Sequence, residues 1–173
     1  MKVFNLITLV SLLFASACTY PDPNITQGGV DELKSLELDR VLSTSDKKFE
    51  DLVYIPIYSD IYSDKLNQNS LLSATLSIRN TSFTDSLFIS TIDYYDTDGK
   101  LARSYINQPI ALSPMATVNY VIEKEDTTGG PGANFIVKMN SENTKIKPII
   151  QAIMIGSFGN HGFAFSTDGY SIE

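Results

Sequence analysis

Leu72, Ala74, Leu76 and Ile78 alternate with Ser73, Thr75, Ser77 and Arg79. This period of two is the feature that most constrains the fold. Successive side chains of a strand point to opposite faces, so apolar–polar alternation marks a strand with one face buried. The pattern recurs along the chain. Val53, Ile55 and Ile57 alternate with Tyr54, Pro56 and Tyr58. Val118, Tyr120 and Ile122 make one face of a further strand, and Ala133, Phe135, Val137 and Met139 one face of another. Phe163 and Phe165 alternate near the C-terminus, and no helical period is sustained after residue 49. This reading predicts an all-β domain over 49–173, a two-sheet antiparallel immunoglobulin-like sandwich of about seven or eight strands. A barrel is the alternative.

Two segments add detail. Leu87 to Tyr95 is rich in β-branched and aromatic residues, Asp96-Thr97-Asp98-Gly99-Lys100 follows as a turn, and Leu101 to Ile106 returns. A hairpin over 87–106 is expected, with Asp98-Gly99 as a tight turn whose central residues both need φ > 0. Ile149 to Ile155 is apolar on both faces, which predicts a central strand covered on each side.

The N-terminus reads differently. Lys2 precedes an apolar stretch from Val3 to Phe14, and Ala15-Ser16-Ala17 lead into Cys18. The apolar run is shorter than the ~20 residues of a spanning helix. Small residues before a cysteine resemble the bacterial lipobox, with Ala15 where Leu is usual. The resemblance implies a signal peptide over 1–17, cleavage before Cys18, a diacylglycerol on its thiol and an acyl chain on its freed amine. Thr19 stands where Asp would resemble an inner-membrane retention signal, so the expected address is the cell envelope, at the outer membrane rather than the inner where the organism has both. Residues 19–29 hold two Pro and two Gly and read as a linker. Residues 30–48, with Val30, Leu33, Leu36 and Val41, form a short amphipathic helix or an extended tether.

Cys18 is the only cysteine of 173 residues. Once lipidated it leaves no disulfide and no thiol chemistry, so apolar packing alone must hold the domain. The formal net charge is −7. An acidic chain without a basic patch disfavours nucleic acid as a partner.

VYIPIYSDIY, ATLSIRNT, IDYYDTDGKLARSY, DTTGGPGANFIV and PIIQAIMIG occur in that order over roughly residues 50–168. Together they resemble the bacterial family catalogued as domain of unknown function 3124. The resemblance implies a small exported protein, often a lipoprotein. It implies no ligand, activity or catalytic residue.

No constellation here commits to catalysis. The single histidine, His161, sits among Gly159, Asn160 and Gly162, and no nucleophile elbow is present. It reads as a turn histidine at a strand start. Zinc wants several His or Cys, so neither a metal site nor any other cofactor is expected. Asp93, Asp96 and Asp98 open like a calcium loop, but the later ligands are missing. A hydrolase would need His161 or a carboxylate pair, of which Asp93 and Asp126 are the two to examine. The most unusual stretch is Asp126-Thr127-Thr128-Gly129-Gly130-Pro131-Gly132-Ala133-Asn134. It reads either as a flexible connection or as a binding loop. In the second reading its N–H groups hold an anion, and Asp126 and Asn134 fix a polar ligand. Tyr54 and Tyr58 share a face by period two, either as rim tyrosines or as an aromatic surface for a sugar or protein. The expectation is a lipid-anchored, non-enzymatic binding or structural module. Its partner would be an envelope protein or a polysaccharide.

Overall fold

The computed structural model describes residues 47–62 and 69–172. The expected signal segment 1–17, Cys18 and the tether up to residue 46 lie outside the described residues. What is described is antiparallel β structure. The strands are β1 (Phe49–Pro56), β2 (Asp60–Tyr62), β3 (Asn69–Leu71), β4 (Ser73–Arg79), β5 (Leu87–Tyr95) and β6 (Leu101–Ser104). They continue with β7 (Ile110–Leu112), β8 (Thr117–Ile122), β9 (Asn134–Ser141), β10 (Ile149–Phe158), β11 (His161–Asp168) and β12 (Tyr170–Ser171).

One sheet has the order β12-β1-β9-β5-β6, with β7 also paired to β5. The other has the order β11-β10-β4-β8, and β2 and β3 form a separate ribbon. Ile55, Ile92 and Phe135 of the first sheet share one buried cluster with Leu76, Tyr120 and Met154 of the second. That layer makes the molecule a sandwich. The apolar sets of Leu72–Ile78, Val118–Ile122 and Ala133–Met139 all face it. The twelve strands among the described residues exceed the seven or eight expected. The extra ones, β2, β3, β7 and β12, have two or three residues, too few to show a period.

Two expectations are corrected. The hairpin of β5 and β6 forms, but among its turn residues only Gly99 has positive φ, at 77°. The Gly99 N–H donates to the Asp96 carbonyl at 3.0 Å, and Asp96 Oδ1 accepts the N–H groups of Asp98 and Lys100. An Asx-braced turn followed by a left-handed glycine closes this five-residue loop, so Asp98 escapes the strained conformation that a two-residue turn would impose. The second correction concerns β10. It is central in its sheet, yet Ile149, Ile153 and Ile155 are 46%, 37% and 56% exposed. Only Ile150, Ala152 and Met154 face the core. Nothing among the described residues covers the outer face.

Strand direction gives the sandwich two ends. β1 starts at Phe49 beside Ser141 and finishes at Pro56 beside Asn134. The connections 80–86, 113–116 and 142–148 lie at the Phe49 end. The turn 96–100, the connection 123–133 and the Gly159-Asn160 turn lie at the Pro56 end. Buried Asn80 ties the Phe49 end together. Its Nδ2 donates to the carbonyls of Asp85, Leu112 and Ser113 at 2.8, 3.1 and 3.0 Å, and its Oδ1 accepts the Ser82 N–H.

The one-sided burial is checked by urea denaturation. Leu76→Ala, at a fully buried position, costs about 2–5 kcal/mol. Ile153→Thr, on the uncovered face, stays within about 0.5 kcal/mol.

Candidate functional site

The connection between β8 and β9 carries the glycine-rich segment, and the structure folds it back onto the sandwich. Thr128 donates its N–H and hydroxyl to Asp126 Oδ1 at 3.2 and 2.5 Å. The Gly130 N–H donates to Ser59 Oγ at 2.7 Å, and the Gly132 N–H donates to Thr97 Oγ1 at 2.9 Å. The Thr97 N–H and hydroxyl both donate to the Gly129 carbonyl at 2.9 Å. Three amides expected to hold an anion are therefore committed to the protein's own oxygens. Asn134 opens β9 between Pro56 and Tyr95.

Side chains remain on the outside of this loop. Arg103 of β6 donates from Nη2 to Asp126 Oδ2 at 3.0 Å and from Nη1 to the Tyr105 hydroxyl at 3.4 Å. Its guanidinium also lies 5.6 Å from the Tyr105 ring centre. Burial pushes the Asp126 carboxyl up, but the Thr128 donors and the Arg103 charge outweigh it and hold its pKa below the ordinary value. The Arg103 pKa is raised, by Tyr105 first and Asp126 next. Thr127 and Thr128 are exposed beside this pair. A neutral polar or charged group could meet a guanidinium, a carboxylate, hydroxyls and an aromatic edge here.

Beneath the loop lies an aromatic cluster. Tyr94 and Phe135 are 5.2 Å apart between ring centres, Tyr105 and Phe135 5.5 Å, and Tyr105 and Tyr120 5.3 Å. Gly129 presses on Tyr94 so closely that a Cβ there would overlap the tyrosine hydroxyl. The Tyr94 hydroxyl sits beside Ser59 without a well-formed hydrogen bond, and the buried Tyr120 hydroxyl has no partner among the described residues. Burial first, with the Asp126 charge adding to it, pushes the Tyr94 phenol up to about 12. Burial also raises Tyr105 and Tyr120.

The other candidates are dispersed. His161 opens β11, one edge of the four-stranded sheet, while Asp126 follows β8, the opposite edge. Three strand spacings, about 14 Å, separate those edges. Asp93 accepts from the Ser104 hydroxyl at 2.6 Å, whereas Asp126 is engaged by Arg103 and Thr128. Among the described residues no group of three or more His, Cys, Asp or Glu could hold a metal ion. Tyr54 and Tyr58 do not form one surface. Tyr54 lies across from Ile136 and Tyr170, but Tyr58, beyond the end of β1, turns edge-on to Phe165 at 5.8 Å.

Sequence reasoning missed a polar depression at the Phe49 end. It has a volume of about 300 Å³ and is lined by Thr84, Asp85, Ser86, Phe88, Ser141 and Glu142. Asp85 Oδ2 accepts from Thr84 Oγ1, Asn143 Nδ2 and Ser82 Oγ at 2.7, 2.8 and 3.0 Å, which lowers its pKa. The only local signal was a run of hydroxyl residues around one aspartate, and that also describes any turn.

The family model described as "Protein of unknown function (DUF3124)" matches residues 50–172. No curated protein matches the chain. The crystal structure of Thermotoga maritima 1070 is similar at 15% identity and a TM-score of 0.45, covering 69% of this chain and 92% of that one.

Two outcomes follow from the loop. Gly129→Ala, forced against Tyr94, lowers stability by about 1–3 kcal/mol in urea. The second concerns alkali. An unfolded tyrosine titrates near about pH 10, whereas folded Tyr94 titrates at about 12. Between those values the folded chain keeps a proton that the unfolded chain loses. Stability is therefore full below the lower value and falls as pH rises through the higher one. Urea midpoints read at rising alkaline pH show this loss, and Tyr94→Phe makes it shallower.

Proposed function

The chain belongs to that family of proteins of unknown function, and from this premise we propose that it is a lipid-anchored protein of the bacterial cell envelope whose sandwich binds a partner and catalyses nothing. The observation that carries the reading is the polarity of the domain. The chain enters the sandwich at Phe49, and the loop with Asp126, Arg103, Thr127 and Thr128 lies at the other end. A lipid on Cys18 would hold the Phe49 end toward the membrane. The loop end would then face outward, where an envelope protein or a polysaccharide can reach it. Loops on a rigid scaffold are where binding residues tend to sit. The hydrogen bonds from Ser59 and Thr97 hold this loop in one conformation, which lowers the entropy cost of binding. His161, Asp93 and Asp126 have separate surroundings, so a hydrolase gains no support from them.

Fatty-acid labelling and fractionation test the anchor. Cys18→Ser abolishes palmitate labelling and moves the chain out of the membrane fraction; labelling that persists would sink this reading. The binding end is tested by Arg103→Glu. The Arg103–Asp126 pair is half exposed on the arginine side and worth about 0–1 kcal/mol, so the fold survives. Capture of an envelope partner or polysaccharide drops with this variant, and unchanged capture would remove the loop end from the site.

A further inference from the structure

The Phe49 end carries two apolar side chains that the fold holds out into solvent. Phe83 is 83% exposed in the β4–β5 connection, and Met115 is 57% exposed in the β7–β8 turn. They belong to one patch, because the Met115 N–H donates to the carbonyl of Ser82, the neighbour of Phe83, at 3.0 Å. Met115 has φ 62°, the only positive φ of a non-glycine among the described residues. That conformation is costly for a side chain with a Cβ, and it persists only when the surroundings impose it. Here they do. Asn80 bonds both segments at once, through Asp85 and Ser82 on one side and Leu112 and Ser113 on the other, and its own N–H donates to the Ala116 carbonyl. The Thr81 hydroxyl donates to the Lys147 carbonyl and locks the third connection alongside. The patch is therefore a rigid pair of apolar tips.

Charge distinguishes the two ends. The molecule is acidic overall at −7. Yet Lys48, Arg79, Lys145 and Lys147 are exposed around these tips. This end also carries the carboxylates Glu50, Asp51, Asp85 and Glu142, so its charges nearly balance; Glu50 pairs with Lys47 and Lys138, and Asp85 accepts from Ser82, Thr84 and Asn143. At the other end the connections 96–100 and 123–133 carry five carboxylates against two lysines. Apolar tips with exposed cations at the same end, where the chain enters the sandwich, suit one surface above others, a bilayer with anionic headgroups. Aromatic and aliphatic tips enter the boundary of the acyl chains, and lysines meet the phosphates.

We propose that the Phe49 end docks on the membrane itself, with Phe83 and Met115 inserted and Lys48, Arg79, Lys145 and Lys147 at the headgroups. This rests on the lipid anchor proposed above and goes beyond it. The acyl chains hold the domain at the membrane without setting which way it faces. A second contact fixes it upright, and the Arg103–Asp126 end then faces away from the lipid at all times.

The test uses the full acylated chain on vesicles of phosphatidylethanolamine and phosphatidylglycerol. A fluorophore is placed through Thr84→Cys, beside Phe83, and in a second sample through Asp98→Cys, at the far end. With Cys18 acylated, each new cysteine is the only free thiol. The label at 84 is shielded from a water-soluble quencher and the label at 98 is not. Phe83→Ser with Met115→Ser abolishes the shielding, since each side chain contributes about tenfold to the docked population. Both tips are exposed, so this variant folds, and unchanged alkaline and urea midpoints confirm it. If the chain joins the vesicles but both labels quench equally, docking is overturned and the anchor stands. Shielding that survives the double variant also overturns it. If the chain fails to join the vesicles, the anchor itself is lost and the docking with it.

Discussion

The apolar layer between the two sheets is the constraint on which the rest of the structure depends. The described domain contains no cysteine, so no covalent link can substitute for packing. Leu76 and Ile78 on one side and Ile55, Phe135 and Val137 on the other are fully buried in one cluster. Each contributes on the order of 1.5–3 kcal/mol by leaving water, and only the sum outweighs the entropy of ordering the chain. A core with this role tolerates few polar groups. Those it does hold are informative. Asn80 is buried because five hydrogen bonds, four through its side chain and one from its N–H, repay its desolvation and join two segments of the chain. The Tyr94 and Tyr120 hydroxyls are buried without such repayment, in the aromatic cluster under the glycine-rich loop.

How much of this was legible in the residues follows from the same physics. The inward faces of β4, β8 and β9 could be read directly, because a period of two on a half-buried strand leaves no other arrangement. The outer face of β10 could not. Ile149, Ile153 and Ile155 look like buried residues, and whether anything covers them is decided by other segments of the chain rather than by their own sequence. The turn after β5 was located by its residues, but its type depended on the Asp96 side chain accepting two amides. Composition shows that Asp can do this and does not show that it will. The candidate site divides in the same manner. The glycine-rich segment was visible as unusual. Its partners Ser59, Thr97, Tyr94 and Arg103 are distant in sequence and were not visible at all.

The polarity of the domain is a consequence of topology that no single residue encodes. An even number of antiparallel passes would return the chain to the end where it entered; which connections end up there is set by strand order. Here the connections holding Phe83, Met115, Lys145 and Lys147 fall beside Phe49, and those holding Asp96, Asp98, Glu123 and Asp126 fall opposite. The formal charge of −7 hides this separation, because it averages a nearly balanced end with an acidic one. A net charge therefore describes solubility better than it describes partners. The acidic loops repel an anionic surface while the lysines at the Phe49 end are attracted to it, and the two effects turn the domain in the same sense. Over a Debye length of about 8 Å only the nearer end feels the headgroups strongly. On the proposed anchor, the orientation would then be set by the end at which the chain arrives, and anchor, apolar tips and outward loop would form one mechanical arrangement.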